Sequence, residues 1–209
     1  MRPIARAPRL IRDAAAAREA TLKLPRLIRL ATFALAALPA LDLAVAFARG
    51  ALPTPYRTVL HETGLWSMRL LSLGLLLSPL ARFTGWAWPN VPRRMLGLFA
   101  ASYAFAHAWA WCRQYGYDWD FLLPELWRLY LALGLGAVVL LVPLTLTSNS
   151  WARRLLGTAW ARLHQLAYAI ALLALIHFML SRALPPRESW LHAGLIAVAL
   201  VARFLPRRQ

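Results

Sequence analysis

Six apolar runs, each about as long as a bilayer core is thick, recur along the chain, and arginine-rich segments separate them. A helix needs roughly 20 apolar residues to cross a membrane. The runs lie at about 29–48, 59–81, 95–113, 127–146, 160–180 and 189–205. With 60% hydrophobic residues and a mean hydropathy of +0.52, the chain is too apolar for a soluble domain of this length. The expected fold is therefore an all-α membrane protein, a bundle of six transmembrane helices over residues 26–206. A basic tail over residues 1–25 precedes it. The first run has a basic flank and small residues, as a signal peptide does. It is longer than a signal-peptide core and five more runs follow, so it is expected to be a retained helix.

The arginines set the expected orientation. Arg2, Arg6, Arg9, Arg12, Arg18, Lys23 and Arg26 precede the first run. Arg82, Arg93 and Arg94 follow the second, Arg153, Arg154 and Arg162 follow the fourth, and Arg207 and Arg208 follow the last. If the runs alternate in direction, all of these share one side. The opposite loops hold Asp118, Asp120, Glu125 and Glu188 with only Arg49, Arg57, Arg182 and Arg187. The positive-inside rule then places both termini in the cytoplasm. Trp66, Trp86, Trp88, Trp119, Trp127, Trp151, Trp160 and Trp190 lie near the ends of runs, as an aromatic belt requires.

The same pattern excludes several classes. A net charge of +16 can mark a nucleic-acid binder, but here the charge lies between apolar runs rather than on a soluble face. The single cysteine, Cys112, allows no internal disulfide. There is no CxxCH for covalent haem attachment and no CxxC for zinc or iron–sulfur ligation. No glycine-rich GxGxxG is present, so a pyridine nucleotide is not expected to bind in the usual way.

Three histidines fall inside the runs. Ionisable residues within a membrane are costly and mark functional sites. His107 stands thirteen residues past Arg94, and His177 fifteen past Arg162. Their runs point the same way, so both lie roughly 20 Å above the cytoplasmic entrance at 1.5 Å per residue. Matched depth on two helices suggests a haem b iron held between two imidazoles. His164, two residues past Arg162, sits near the cytoplasmic mouth. It is thirteen residues from His177, which on an ideal helix points the two rings roughly 140° apart. One haem is thus supported, and a second lacks an evident partner on the third run. The competing reading makes these histidines polar packing residues bonded across helices. His61 and His192, at the starts of the second and sixth runs, read as interfacial residues near the outer surface.

Arg69, midway in the second run, is a candidate partner for a haem propionate or another anionic cofactor, with snorkelling as the alternative. Asp42 in the first run could serve a proton relay, which would fit a small transporter. Gly97, Ala100, Ala101, Ala104 and Ala108 line one side of the third run and let a helix or a porphyrin approach closely. RRMLG at 93–97 and RRLLG at 153–157 read as two similar cytoplasmic entrances.

HETG at 61–64, SPLAR at 78–82, RRMLGL at 93–98 with His107 beyond it, and LTSNSWARRLLGTAWARLHQLAY at 146–168 with His177 beyond it together resemble the MsrQ (YedZ) family. These are haem-binding membrane subunits of bacterial protein-methionine-sulfoxide reductase systems, within the ferric-reductase-like transmembrane superfamily. The resemblance covers roughly residues 26–206. It implies a six-helix inner-membrane protein that binds haem b and FMN, with His107, His164 and His177 as the haem histidines. It implies an electron-transfer subunit rather than a catalytic one. Electrons would come from the quinone pool or a cytosolic flavin reductase and pass to MsrP, a periplasmic molybdopterin enzyme that repairs methionine sulfoxide in oxidised proteins. The alternative is a stand-alone transmembrane haem reductase of the ferric-reductase or cytochrome b561 type.

Overall fold

The computed structural model describes residues 7–181 and 187–205, with side chains from residue 23 onward except at 204. Among these residues the chain is all helical: α1 (Ala7–Ala48), α2 (Pro55–Thr84), α3 (Arg93–Gln114), α4 (Trp119–Glu125), α5 (Leu129–Leu146), α6 (Ser150–Leu156), α7 (Thr158–Leu163), α8 (Leu166–Leu180) and α9 (Arg187–Phe204). The six expected runs correspond to α1, α2, α3, α5, α7 with α8, and α9. Four segments are long and apolar enough to cross a membrane: Lys23–Ala48, Pro55–Thr84, Leu129–Leu146 and Thr158–Leu180. α3 and α9 are less apolar than expected. α3 packs against α1, α2 and α5, and the residues it buries are mostly small: Ala100, Ala101, Ala104 and Ala110, with Leu96 and Tyr103. The chain is a membrane protein.

Residues 7–25 are continuous with α1, so the tail is helical from Ala7 onward rather than a separate element. Arg2, Arg6, Arg182, Arg207 and Arg208 lie outside the described residues. Local chemistry explains the helix ends. Pro55 opens α2, where its missing N–H costs nothing, and Gly85 closes it at φ 70°. Gly116 and Tyr117, at φ 63° and 61°, turn the chain sharply after α3. The Asp118 carboxylate then accepts from the backbone N–H groups of Asp120 and Phe121 and starts α4. Asn149 caps α6 in the same way through Ala152.

Two hairpins form the centre. α2 packs along α3, and α5 packs along α8. Ala101 and Ala104 of α3 meet Ala137, Leu141 and Leu144 of α5 and Ile170 of α8 in one apolar seam. Met68 and Leu75 of α2, Ala171 and Leu175 of α8, and Ile196 and Ala199 of α9 fill a second. Ala36 of α1, with Leu70, Leu77, Leu96, Ala100 and Tyr103, forms a third. Ala100, Ala101 and Ala104 of α3 thus serve helix packing, whereas Gly97 is exposed with no atom near the place of a side chain. The run fifth in order is broken at His164–Gln165, where the backbone bonds tighten: Gln165 N–H donates to the Arg162 carbonyl at 3.1 Å and Tyr168 N–H to Gln165 at 3.1 Å. α9 runs parallel to α2. Glu188 stands opposite Arg69, His192 opposite Ser72, and the Ala202, Arg203 and Leu205 carbonyls opposite the Arg82 guanidinium that donates to them.

Candidate functional site

His107 of α3 and His177 of α8 meet between the two hairpins. Their ring centroids are 6.0 Å apart and their planes lie at 84°. His107 Nδ1 is 2.7 Å from the Leu60 carbonyl oxygen on α2. His177 Nδ1 is 2.7 Å from the Tyr130 carbonyl oxygen on α5. A carbonyl only accepts, so Nδ1 carries the hydrogen in each ring and Nε2 keeps its lone pair. The Tyr130 ring stacks on His177 at 6.0 Å and 22°, which helps hold its plane.

This donor set fits an iron ligated on two sides. Ligating histidines characteristically donate their other ring N–H to a carbonyl or carboxylate, which fixes tautomer and orientation. With metal–nitrogen bonds of about 2 Å and a ring radius of about 1 Å, two imidazoles on opposite sides of one metal stand roughly 6 Å apart between centroids. The observed spacing matches. His107 and His177 could therefore hold a haem iron through their Nε2 atoms, and the haem would supply a one-electron carrier there.

His164 lies elsewhere, at the break between α7 and α8. Its ring stacks on Trp160 with centroids 3.9 Å apart. Its Nδ1 is 3.1 Å from the Trp160 carbonyl, and its Nε2 is 3.4 Å from Ser148 Oγ. Both ring nitrogens face protein atoms, and Trp160 is itself anchored by its indole N–H on the Thr147 carbonyl at 2.9 Å. The helix break means that His164 and His177 do not share one regular helix, so the ideal-helix angle between them does not apply.

Arg69 is committed to Glu188 of α9, at 3.0 and 3.2 Å, and lies over the Trp66 ring at 4.8 Å. Beside this pair, His192 is 3% exposed and 3.1 Å from Ser72 Oγ. The expectation of a surface position for His192 is corrected here. The sixth run enters beside the middle of α2 rather than its start, which carries Glu188 and His192 inward. His61 is exposed, and so is Asp42 on α1, remote in sequence from this cluster.

The α3–α4 turn and α4 present the acidic, aromatic surface. Asp118 serves as the α4 cap and Glu125 pairs with Arg128 at 2.8 Å. Asp120, Trp119 and Trp127 are exposed. The repeated arginine motifs do not occupy equivalent places: 93–97 opens α3, while 153–157 covers the second half of α6 and its closing glycine. The functional atoms that sequence reading missed are the Leu60 and Tyr130 carbonyls. Backbone oxygens carry no residue signature, although each precedes its histidine by the same 47 positions.

A family profile described as "Ferric reductase like transmembrane component" matches residues 63–175. A protein of Xanthomonas campestris pv. campestris strain 8004, named protein-methionine-sulfoxide reductase heme-binding subunit MsrQ, is 43% identical over 150 residues, 70% of this chain and 68% of its own. The MsrQ of Xanthomonas axonopodis pv. citri strain 306 is also 43% identical over 150 residues, with the same coverage. That of Brucella anthropi is 37% identical over 153 residues, 72% of this chain and 69% of its own. No solved structure gives a significant match. The matched stretch runs from Thr63 to Leu175 and so takes in α3 with His107 and stops just short of His177. The chain belongs to the ferric-reductase-like transmembrane family and, within it, to the MsrQ proteins.

Proposed function

We propose that the protein is the haem b-carrying, electron-transferring membrane subunit of a protein-methionine-sulfoxide reductase system. The observation that carries this reading is the His107–His177 pair, each ring with Nδ1 tied to a carbonyl and Nε2 free to ligate. The printed name of its relatives, a heme-binding subunit, supports the same assignment. Haem supplies a one-electron carrier inside the membrane, and its axial ligands tune the potential. The protein contributes two rigid hairpins that hold both imidazoles and apolar seams that exclude water beneath them. Purified protein should show a low-spin b-type spectrum on reduction, and a haem-free protein with full-length helices would sink the reading.

The membrane is the bacterial inner membrane, with both termini in the cytoplasm, a placement supported by the arginine distribution. Electrons enter from quinone or a cytosolic flavin reductase and leave to a periplasmic partner, MsrP, where the reduction of methionine sulfoxide takes place. The FMN that the family resemblance implies rests on that resemblance alone. The family description also supports the alternative of a stand-alone ferric-reductase-like protein. Reduction of a ferric chelate at wild-type rate without any exported protein partner would favour that alternative.

Two expected results follow for the flanks of the site. His164→Ala should slow reduction of the haem from the cytoplasmic side while leaving most haem bound, because His164 is stacked on Trp160 away from the His107–His177 pair. Stopped-flow reduction read against haem content separates the two effects. Complete haem loss in this variant would make His164 an axial ligand.

The α4 surface is proposed to dock the exported partner. Weak redox complexes are small and electrostatically steered. Asp118 and Glu125 already serve the local fold, so Asp120→Asn is the clean variant. It should slow electron delivery to the partner, and more so at low salt where screening is weak. A transfer rate unaltered at low ionic strength would discard this surface.

A further inference from the structure

The two hairpins hold their histidines by one repeated device. A Cβ built on Gly64 of α2 would stand 2.7 Å from His107 Nδ1 and 2.9 Å from its Cε1. A Cβ built on Gly134 of α5 would stand 2.8 Å from His177 Nδ1 and 2.9 Å from its Cε1. Of the ten glycines, only these two meet anything closer than 3.7 Å. Each lies four residues after the carbonyl that its histidine bonds, Leu60 for Gly64 and Tyr130 for Gly134. Helical side chains lean toward the N-terminus and cover the turn before their own Cα. A side chain at position 64 or 134 would therefore lie over the very carbonyl that the imidazole needs. Glycine uncovers it, and the oxygen's second lone pair is then free for the ring N–H.

We propose that Gly64 and Gly134 are positioning residues for the two axial haem ligands: by leaving the Leu60 and Tyr130 carbonyls bare, they seat His107 and His177 against the facing helices, fix both rings as Nδ1–H tautomers and set the two ring planes near perpendicular. The inference rests on the haem reading of this site. The crossed planes have a spectroscopic consequence. Two parallel imidazoles donate into one iron d orbital more than the other and split the pair. Two crossed imidazoles treat the pair alike, so the ferric ion retains orbital angular momentum and gives a highly anisotropic low-spin EPR signal dominated by one large g value.

The test uses the full-length haem-loaded protein and the variants Gly64→Ala, Gly134→Ala and Gly136→Ala. At Gly136 a Cβ would meet Leu173 at an ordinary 3.8 Å, so this variant controls for the substitution itself. Alanine is the better helix former, so local propensity opposes any loss of helix. The wild type should give the highly anisotropic ferric signal. Gly64→Ala and Gly134→Ala should push an imidazole off its carbonyl, as removal of an outer-shell partner does, and weaken haem retention about 10- to 100-fold. Haem that remains should give a more rhombic signal and a shifted midpoint potential. Gly136→Ala should match the wild type. Wild-type retention, EPR signal and potential in both site variants would overturn the inference and leave the haem reading standing. A rhombic signal from the wild type would overturn it without any variant. A wild type that binds no haem would instead overturn the haem reading beneath it.

Discussion

His107→Ala and His177→Ala should each leave the protein with little or no low-spin haem, whereas His61→Ala and His192→Ala should keep most of it. On the proposed reading the first two would remove a ligand directly, which should cost more than the roughly 10- to 100-fold affinity loss that follows removal of an outer-shell partner. His61 is exposed, and the His192 ring is 3.1 Å from Ser72 Oγ on the α2–α9 side of the bundle. Haem per polypeptide and the reduced spectrum of each variant make the comparison. An unchanged low-spin spectrum in His177→Ala would refute the pairing, because an iron that has lost one of two imidazoles changes spin state and potential.

Glu188→Leu is expected to destabilise the detergent-solubilised protein strongly, and the Arg69→Leu/Glu188→Leu double variant to recover most of the loss. Arg69 lies well inside α2, and its guanidinium bonds both Glu188 oxygens, at 3.0 and 3.2 Å. An arginine at the centre of a membrane helix costs about 2.5–3.5 kcal/mol, so leaving it unpaired should cost on the order of 2 kcal/mol once snorkelling relieves part of the penalty. Breaking one half of a charge pair is worse than replacing both halves with apolar residues. Thermal unfolding of the wild type, both single variants and the double variant closes the cycle. Purely additive effects would show that the pair carries no coupling and that α9 is held by its apolar seam and its other polar contacts to α2.

The helical plan was legible because bilayer thickness imposes a length that can be counted along the chain. The run at 59–81 became α2, and that at 127–146 became α5. Ends were less legible. Asp118 and Asn149 cap short helices that no hydropathy window registers, and the break at His164–Gln165 has no proline or glycine to announce it. α3 and α9 read as ordinary spans, yet they are the less apolar ones, since what a helix buries against protein need not be as greasy as what it shows to lipid. Arg69 looked like a lone intramembrane cation because Glu188 lies 119 residues away and only the packing of α9 on α2 brings them together.

By itself the sequence determined the membrane class, the order of the helices and the three intramembrane histidines, because each depends on local composition and on residue spacing along one axis. Counting from Arg94 and Arg162 even placed His107 and His177 at one depth. Depth is a single coordinate, however, and it says nothing of which way a side chain faces around its helix. Only the tertiary structure decided that His107 and His177 face each other while His164 turns onto Trp160, and that the Leu60 and Tyr130 carbonyls receive the ring hydrogens. Those outcomes depend on helix rotation and on how closely two backbones approach, and both are set by long-range packing between the hairpins.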